Sequence, residues 1–170
     1  MISGLVLVGA LVLIWAGAAK AMRPHGTVRA LRAAGLPSHA LGVRALAVVE
    51  MAVGLAAAAG GRPGTAGMTA SYAVLAAFVA LAIRRRWSLS SCGCFGVADA
   101  PPTASHLAVN VVFTVVAAAA VVTGARPSLE GFTRHPGDAA ALGLVAVVTA
   151  GLVVLTLTRL PALAAAGRSR

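Results

Sequence analysis

Five stretches of this chain run for close to twenty residues almost without charge, and short polar patches separate them. A run of ~20 apolar residues crosses the ~30 Å hydrocarbon core of a bilayer as an α-helix. The runs cover residues 2–19, 39–60, 65–83, 105–123 and 139–158. The pattern predicts an all-α integral membrane protein, a bundle of about five transmembrane helices in a single domain over residues 1–170.

The breaks are informative too. After the first run comes a polar connection from Lys20 to Ser38, inside which Thr27 to Ala34 has room for a short helix ended by Gly35 and Pro37. Gly60-Gly61-Arg62-Pro63-Gly64 carries the strongest turn chemistry in the chain. Arg84-Arg85-Arg86-Trp87 joins a basic cluster to an interfacial aromatic, which marks a membrane boundary. The loop after it ends at Pro101-Pro102, where Thr103 or Ser105 can cap the fourth helix. Ala19-Lys20-Ala21 has the form of a signal-peptide cleavage site, but no basic segment precedes the first run and further spans follow. An uncleaved first helix is expected.

Composition agrees with the pattern. Hydrophobic residues make up 59% and charged residues 11% of the chain, against about 45–50% and 25% in soluble domains. The net charge of +10 would suit nucleic acid, but aromatic residues are only 4% and no contiguous basic face is evident. A nucleic-acid partner is not expected. The basic residues divide by side: Lys20, Arg23, Arg29, Arg32, Arg44, Arg84, Arg85, Arg86, Arg159, Arg168 and Arg170 fall at one face, and Arg62, Arg126 and Arg134 at the other. Eleven against three makes the first face cytoplasmic by the positive-inside rule. The N-terminus would then lie outside, the C-terminus and the loop after the third span inside. Arginine outnumbers lysine thirteen to one, a bias associated with GC-rich bacterial genomes, so the expected location is a bacterial plasma membrane.

That loop contains both cysteines of the chain, in Ser90-Ser91-Cys92-Gly93-Cys94-Phe95-Gly96. A Cys-x-Cys pair closes only a small ring, so the middle residue must bend sharply, and glycine can take the dihedrals required. A strained pair of this kind is more readily reduced than a structural disulfide, which suits thiol–disulfide exchange. The arginines before it would favour a thiolate. Two other readings stand beside this one: idle thiols packed as small hydrophobes, and a soft-metal site with His106 as a third ligand. Glu50 is the second unusual residue. An ionised side chain at mid-bilayer costs at least ~2.5–3.5 kcal/mol, so it either serves function or bonds helices together. Lys20 closes the first run, and His106 and Asn110 share one face at the start of the fourth. Taken alone, Lys20 reads as an anchor snorkelling to the interface. Lys20, Glu50, Cys92, Cys94, His106 and Asn110 can nonetheless converge on one pocket at the cytoplasmic face.

A Lys closing the first span, a Glu within Val48-Val49-Glu50-Met51-Ala52-Val53-Gly54, and Cys92-Gly93-Cys94-Phe95-Gly96 before the fourth span together resemble the MauE family. These are methylamine-utilisation membrane proteins, grouped with the DoxX-like redox-associated membrane proteins. The likeness covers roughly residues 1–124. It implies a four-helix DoxX-like core plus one helix, and a role in forming or maintaining disulfides in a client protein. In the methylamine system that client is the disulfide-rich small subunit of methylamine dehydrogenase, matured together with a thioredoxin-like protein. Cys92 and Cys94 would cycle between dithiol and disulfide, with Glu50 or His106 handling protons, and a quinone or a thioredoxin-like partner would exchange the electrons. Ser105-His106 and Asn110 stand where relatives tend to have a more basic start to the fourth helix. The competing expectations are a non-enzymatic assembly or stabilising subunit and a soft-metal-handling membrane protein. Disulfide formation belongs to an oxidising compartment, whereas the charge bias places the cysteine loop inside.

Overall fold

A computed structural model describes residues 1–87, 89, 92–95, 101–125, 127 and 136–167, with only the helical backbone for residue 136 and residues 160–167. Among the described residues the chain is all helical: α1 Ile2–Met22, α2 His25–Ala33, α3 Ala40–Ala58, α4 Arg62–Arg84, α5 Ala104–Thr123 and α6 Pro136–Gly167. Five of these, all but α2, are long and apolar enough to cross a membrane. They coincide with the five apolar runs to within a few residues, apart from α6, whose helix continues beyond the expected end at 158. Arg126, Arg134, His135, Arg168 and Arg170, like Ser90, Ser91 and Gly96 of the cysteine segment, lie outside the described residues.

The bundle is built round α1. More than half of its apolar window is buried, against 22–28% for the other four spans. It packs chiefly on α3 and also on α5 and α6, while α4 joins α3 and α5. The α1–α3 contact is antiparallel and uses small residues to bring backbones close. A Cβ on Gly17 would lie 2.8 Å from the Ala47 carbonyl oxygen, and one on Gly54 would lie 2.9 Å from that of Ala10. Apolar side chains gain little by leaving lipid for one another, so close backbone approach of this kind is what holds membrane helices together.

The segment expected to be a polar connection is more structured than its composition suggests. The helix α2 buries Gly26, Thr27, Val28 and Ala30 and exposes His25, Arg29 and Arg32. It ends where glycine and proline predict: Gly35 has φ +77, and Leu36 N–H bonds back to the Leu31 carbonyl. This pattern satisfies last-turn carbonyls and turns the chain towards α3. At the close of α4, Arg86 takes the left-handed position (φ 50) and Trp87 N–H reaches the Ala82 carbonyl. The Trp87 ring folds back against Phe78 with centroids 5.9 Å apart, which starts the cysteine loop close to the bundle.

Candidate functional site

Sequence separation places the chemistry at the end of the bundle where α1 finishes, α2 lies, α4 finishes and α5 begins. The cysteine turn is enclosed there. Cys92, Cys94 and Phe95 are 2%, 7% and 4% exposed and belong to the main apolar core. The two sulfurs are 2.8 Å apart as thiols, a separation longer than the ~2.05 Å of a disulfide bond. Gly93 between them has φ +72, the left-handed conformation that glycine adopts without a Cβ penalty. Arg84, Arg85 and Arg86 are exposed, so the basic cluster expected to favour a thiolate sits where solvent and ions screen it.

One polar contact fixes this turn to α2. The Thr27 hydroxyl donates to the Gly93 carbonyl oxygen at 2.6 Å, across 66 residues of sequence. The backbones are in close contact as well. A Cβ on Gly93 would fall 3.0 Å from the Ala30 methyl and 3.1 Å from Thr27 Cα. Glycine at this position therefore answers two demands at once, the dihedral and the space.

Lys20 and Glu50 meet each other. Lys20 Nζ donates to Glu50 Oε2 at 2.7 Å, with the two residues 1% and 3% exposed. Glu50 lies ten residues into α3, which at 1.5 Å per residue is ~15 Å from its start and about halfway along the helix. Lys20 therefore reaches down into the bundle, and the expectation of a snorkelling anchor does not hold. An unpaired carboxylate at that depth would be costly, and a lysine arriving from the neighbouring helix offsets that penalty.

His106 and Asn110 occupy successive turns on the buried face of α5, 1% and 8% exposed. The imidazole Nδ1 lies 2.8 Å from the Thr103 hydroxyl. Thr103 is the residue at the N-cap, yet its side chain makes no cap bond to the backbone and serves the histidine instead. Asn110 Nδ2 donates to the His106 carbonyl at 2.9 Å. Cys94, His106 and Asn110 line one small cavity together with Phe95, Tyr72 and apolar residues of α1, α5 and α6. Its volume of about 20 Å³ holds roughly one water, which needs ~10–15 Å³.

The six residues expected to converge thus form two groups. Cys94, His106 and Asn110 share the cavity, with Cys92 in sulfur contact behind Cys94. Lys20 and Glu50 form the ion pair, one turn along α1 from Ala16 in the cavity wall. Tyr72 also lines the cavity, and its hydroxyl donates to the Gly9 carbonyl at 2.6 Å. It and Thr27 are the residues that sequence reasoning passed over. Tyr72 had a signal, being the one tyrosine of the chain and set in the middle of an apolar span. Thr27 had a weaker one, a hydroxyl among the small residues on one side of a short helix. No group of three or more His, Cys, Asp or Glu side chains arranged to hold a metal ion occurs among the described residues.

Comparison with known proteins adds one match. The family model described as "Methylamine utilisation protein MauE" matches residues 2–123, which takes in α1 to α5, the ion pair, both cysteines and the cavity residues of α5. No curated protein and no solved structure matches the chain.

Proposed function

The chain belongs to the MauE family, and we propose that it is a membrane thiol–disulfide redox protein supporting disulfide formation or maturation in a client protein. One observation carries this reading: two thiols 2.8 Å apart in a buried glycine turn, at the wall of a cavity that also holds a histidine. Closing the pair forms one S–S bond and releases two protons and two electrons. A quinone that accepts both becomes a quinol. A thioredoxin-like protein accepts them through exchange: one thiolate attacks its disulfide, a mixed disulfide forms, and the second cysteine resolves it, leaving the partner as a dithiol. The residues of this chain prepare that step. Gly93 sets the turn, the apolar surroundings of Cys92 keep water away, and His106 is positioned to take a proton from Cys94 through the cavity. Glu50 is the other proton carrier available, held by Lys20.

The family description places such proteins in methylamine utilisation. On that basis the proposed client is of the kind matured there, the disulfide-rich small subunit of methylamine dehydrogenase, with a thioredoxin-like protein as redox partner. The proposed setting is a bacterial plasma membrane with the N-terminus outside and the C-terminus inside, from the distribution of arginines.

A second reading has its own observation. The Lys20–Glu50 pair ties α1 to α3 as a purely structural bond would, which suits a non-enzymatic assembly subunit with dispensable thiols. Client maturation separates the two readings. Cys92→Ser and Cys94→Ser, alone and together, should abolish client disulfide formation while leaving the protein in the membrane at normal abundance. Full maturation with the double variant would sink the redox proposal and leave the assembly role.

A further inference from the structure

We infer that Thr27 is a positioning residue for the cysteine pair, holding the Cys92-Gly93-Cys94 turn in the geometry from which the disulfide closes. The inference rests on the redox reading of these thiols. The Thr27 hydroxyl reaches the Gly93 carbonyl at 2.6 Å, and that carbonyl belongs to the peptide joining Gly93 to Cys94. A bond there fixes the orientation of the peptide plane between the two sulfur-bearing residues. Thr27 is itself 6% exposed, on a helix whose remaining inward residues are Gly26, Val28 and Ala30. The contact of Gly93 with Ala30 and with the Thr27 backbone completes the clamp.

The physical consequence concerns the equilibrium of the pair. A Cys-x-Cys ring closes only if the middle residue keeps an uncommon conformation, here φ +72, and an untethered turn would spend much of its time elsewhere. Thr27 removes part of that freedom before oxidation, so the dithiol already has its sulfurs side by side and the disulfide is favoured. Loss of a hydrogen bond worth ~1 kcal/mol changes the equilibrium constant by up to about fivefold, the limit reached where the untethered dithiol mostly leaves this turn. The disulfide should then be more easily reduced, by up to ~20 mV at ~30 mV per tenfold.

The test is a redox titration of the full-length protein in detergent or nanodiscs against glutathione buffers, read by alkylation mass shift of Cys92 and Cys94. Thr27→Val keeps the volume and removes the donor, and should shift the midpoint towards easier reduction, by up to about fivefold. Thr27→Ser keeps the donor and should restore the wild-type midpoint, which a merely space-filling role for the side chain would not do. If Thr27→Val does not accumulate, Thr27→Ala carries the same expectation. A wild-type couple that titrates, with variants unchanged, overturns the role of Thr27 and leaves the redox reading intact. A wild-type protein in which no disulfide forms between Cys92 and Cys94 at any buffer ratio overturns both.

Discussion

Lys20 of α1 and Glu50 of α3 form an ion pair at 2.7 Å in which each residue is almost completely enclosed. The charges are far from solvent, so each depends on the other. Removing one partner of a buried pair leaves an uncompensated charge at about 3–5 kcal/mol, whereas replacing both by apolar groups is often neutral or stabilising. Lys20→Met and Glu50→Met should each lower the thermal stability of the detergent-solubilised protein strongly. The double variant should recover most of the loss. A double variant destabilised by the sum of the two single losses would show that the pair is not energetically coupled. Client maturation by a stable double variant would in turn separate the structural use of Glu50 from proton handling.

The glycines of the α1–α3 seam hold that pair in reach. A Cβ on Gly17 would meet the Ala47 carbonyl oxygen at 2.8 Å, and one on Gly54 would meet the Ala10 carbonyl oxygen at 2.9 Å. Backbone atoms cannot move aside as a flexible side chain can, so Gly17→Ala and Gly54→Ala should each destabilise by about 1–3 kcal/mol, the range of overpacked sites. Gly151 of α6 is the control, because a Cβ there meets nothing within 4 Å. Gly151→Ala should be neutral or stabilising by up to ~1 kcal/mol through helix propensity. Melting curves of the three variants in one detergent make the comparison.

The spans could be read from the sequence because each is a continuous apolar run with its own breakers, and that signal needs no knowledge of neighbours. Glu50 stood out for the same reason, as a charge where none belongs. Its pairing with Lys20 was less legible: a lysine at the end of a run looks identical whether it turns up to the headgroups or down into the bundle. Thr27 and Tyr72 show the limit more sharply. Each donates to a backbone carbonyl, 66 and 63 residues away respectively, and a carbonyl has no signature in a sequence. The amphipathic character of α2 was visible only as a row of small residues, Gly26, Thr27 and Ala30, that looks like any polar loop until the cysteine turn is laid against it.

Tyr72 gives a prediction independent of the cysteines. Its hydroxyl bonds the Gly9 carbonyl at 2.6 Å, and its ring lies 5.1 Å from that of Phe113. Tyr72→Phe keeps the ring contact and removes the hydroxyl, at ~1 kcal/mol for a neutral hydrogen bond. A fall in melting temperature of about 2–4 °C is expected for a chain of this size. Tyr72→Leu removes both interactions and should fall further. An unchanged melting temperature for Tyr72→Phe would mean the hydroxyl bond contributes nothing net.

In the proposed redox role the sidedness of the cysteine turn decides which compartment exchanges electrons with it, and the charge distribution makes a definite prediction. Among the described residues, nine of the ten Lys and Arg residues fall at the end that carries α2 and the cysteine turn, and Arg62 falls at the other. Native Cys92 and Cys94 are too buried to report on topology, so reporters belong at exposed sites in a Cys92→Ser, Cys94→Ser background. Ala33→Cys on α2 and Thr123→Cys at the far end of α5 are both exposed and lie at opposite ends of the bundle. A membrane-impermeant maleimide applied to intact cells should label Thr123→Cys and leave Ala33→Cys unlabelled until the membrane is permeabilised. That outcome places the thiol pair at the reducing side, so that it would reach a client outside only through a partner that passes electrons across the membrane. The reverse labelling would put the pair in the oxidising compartment, where it could take electrons from a client directly, and make this chain an exception to the positive-inside rule.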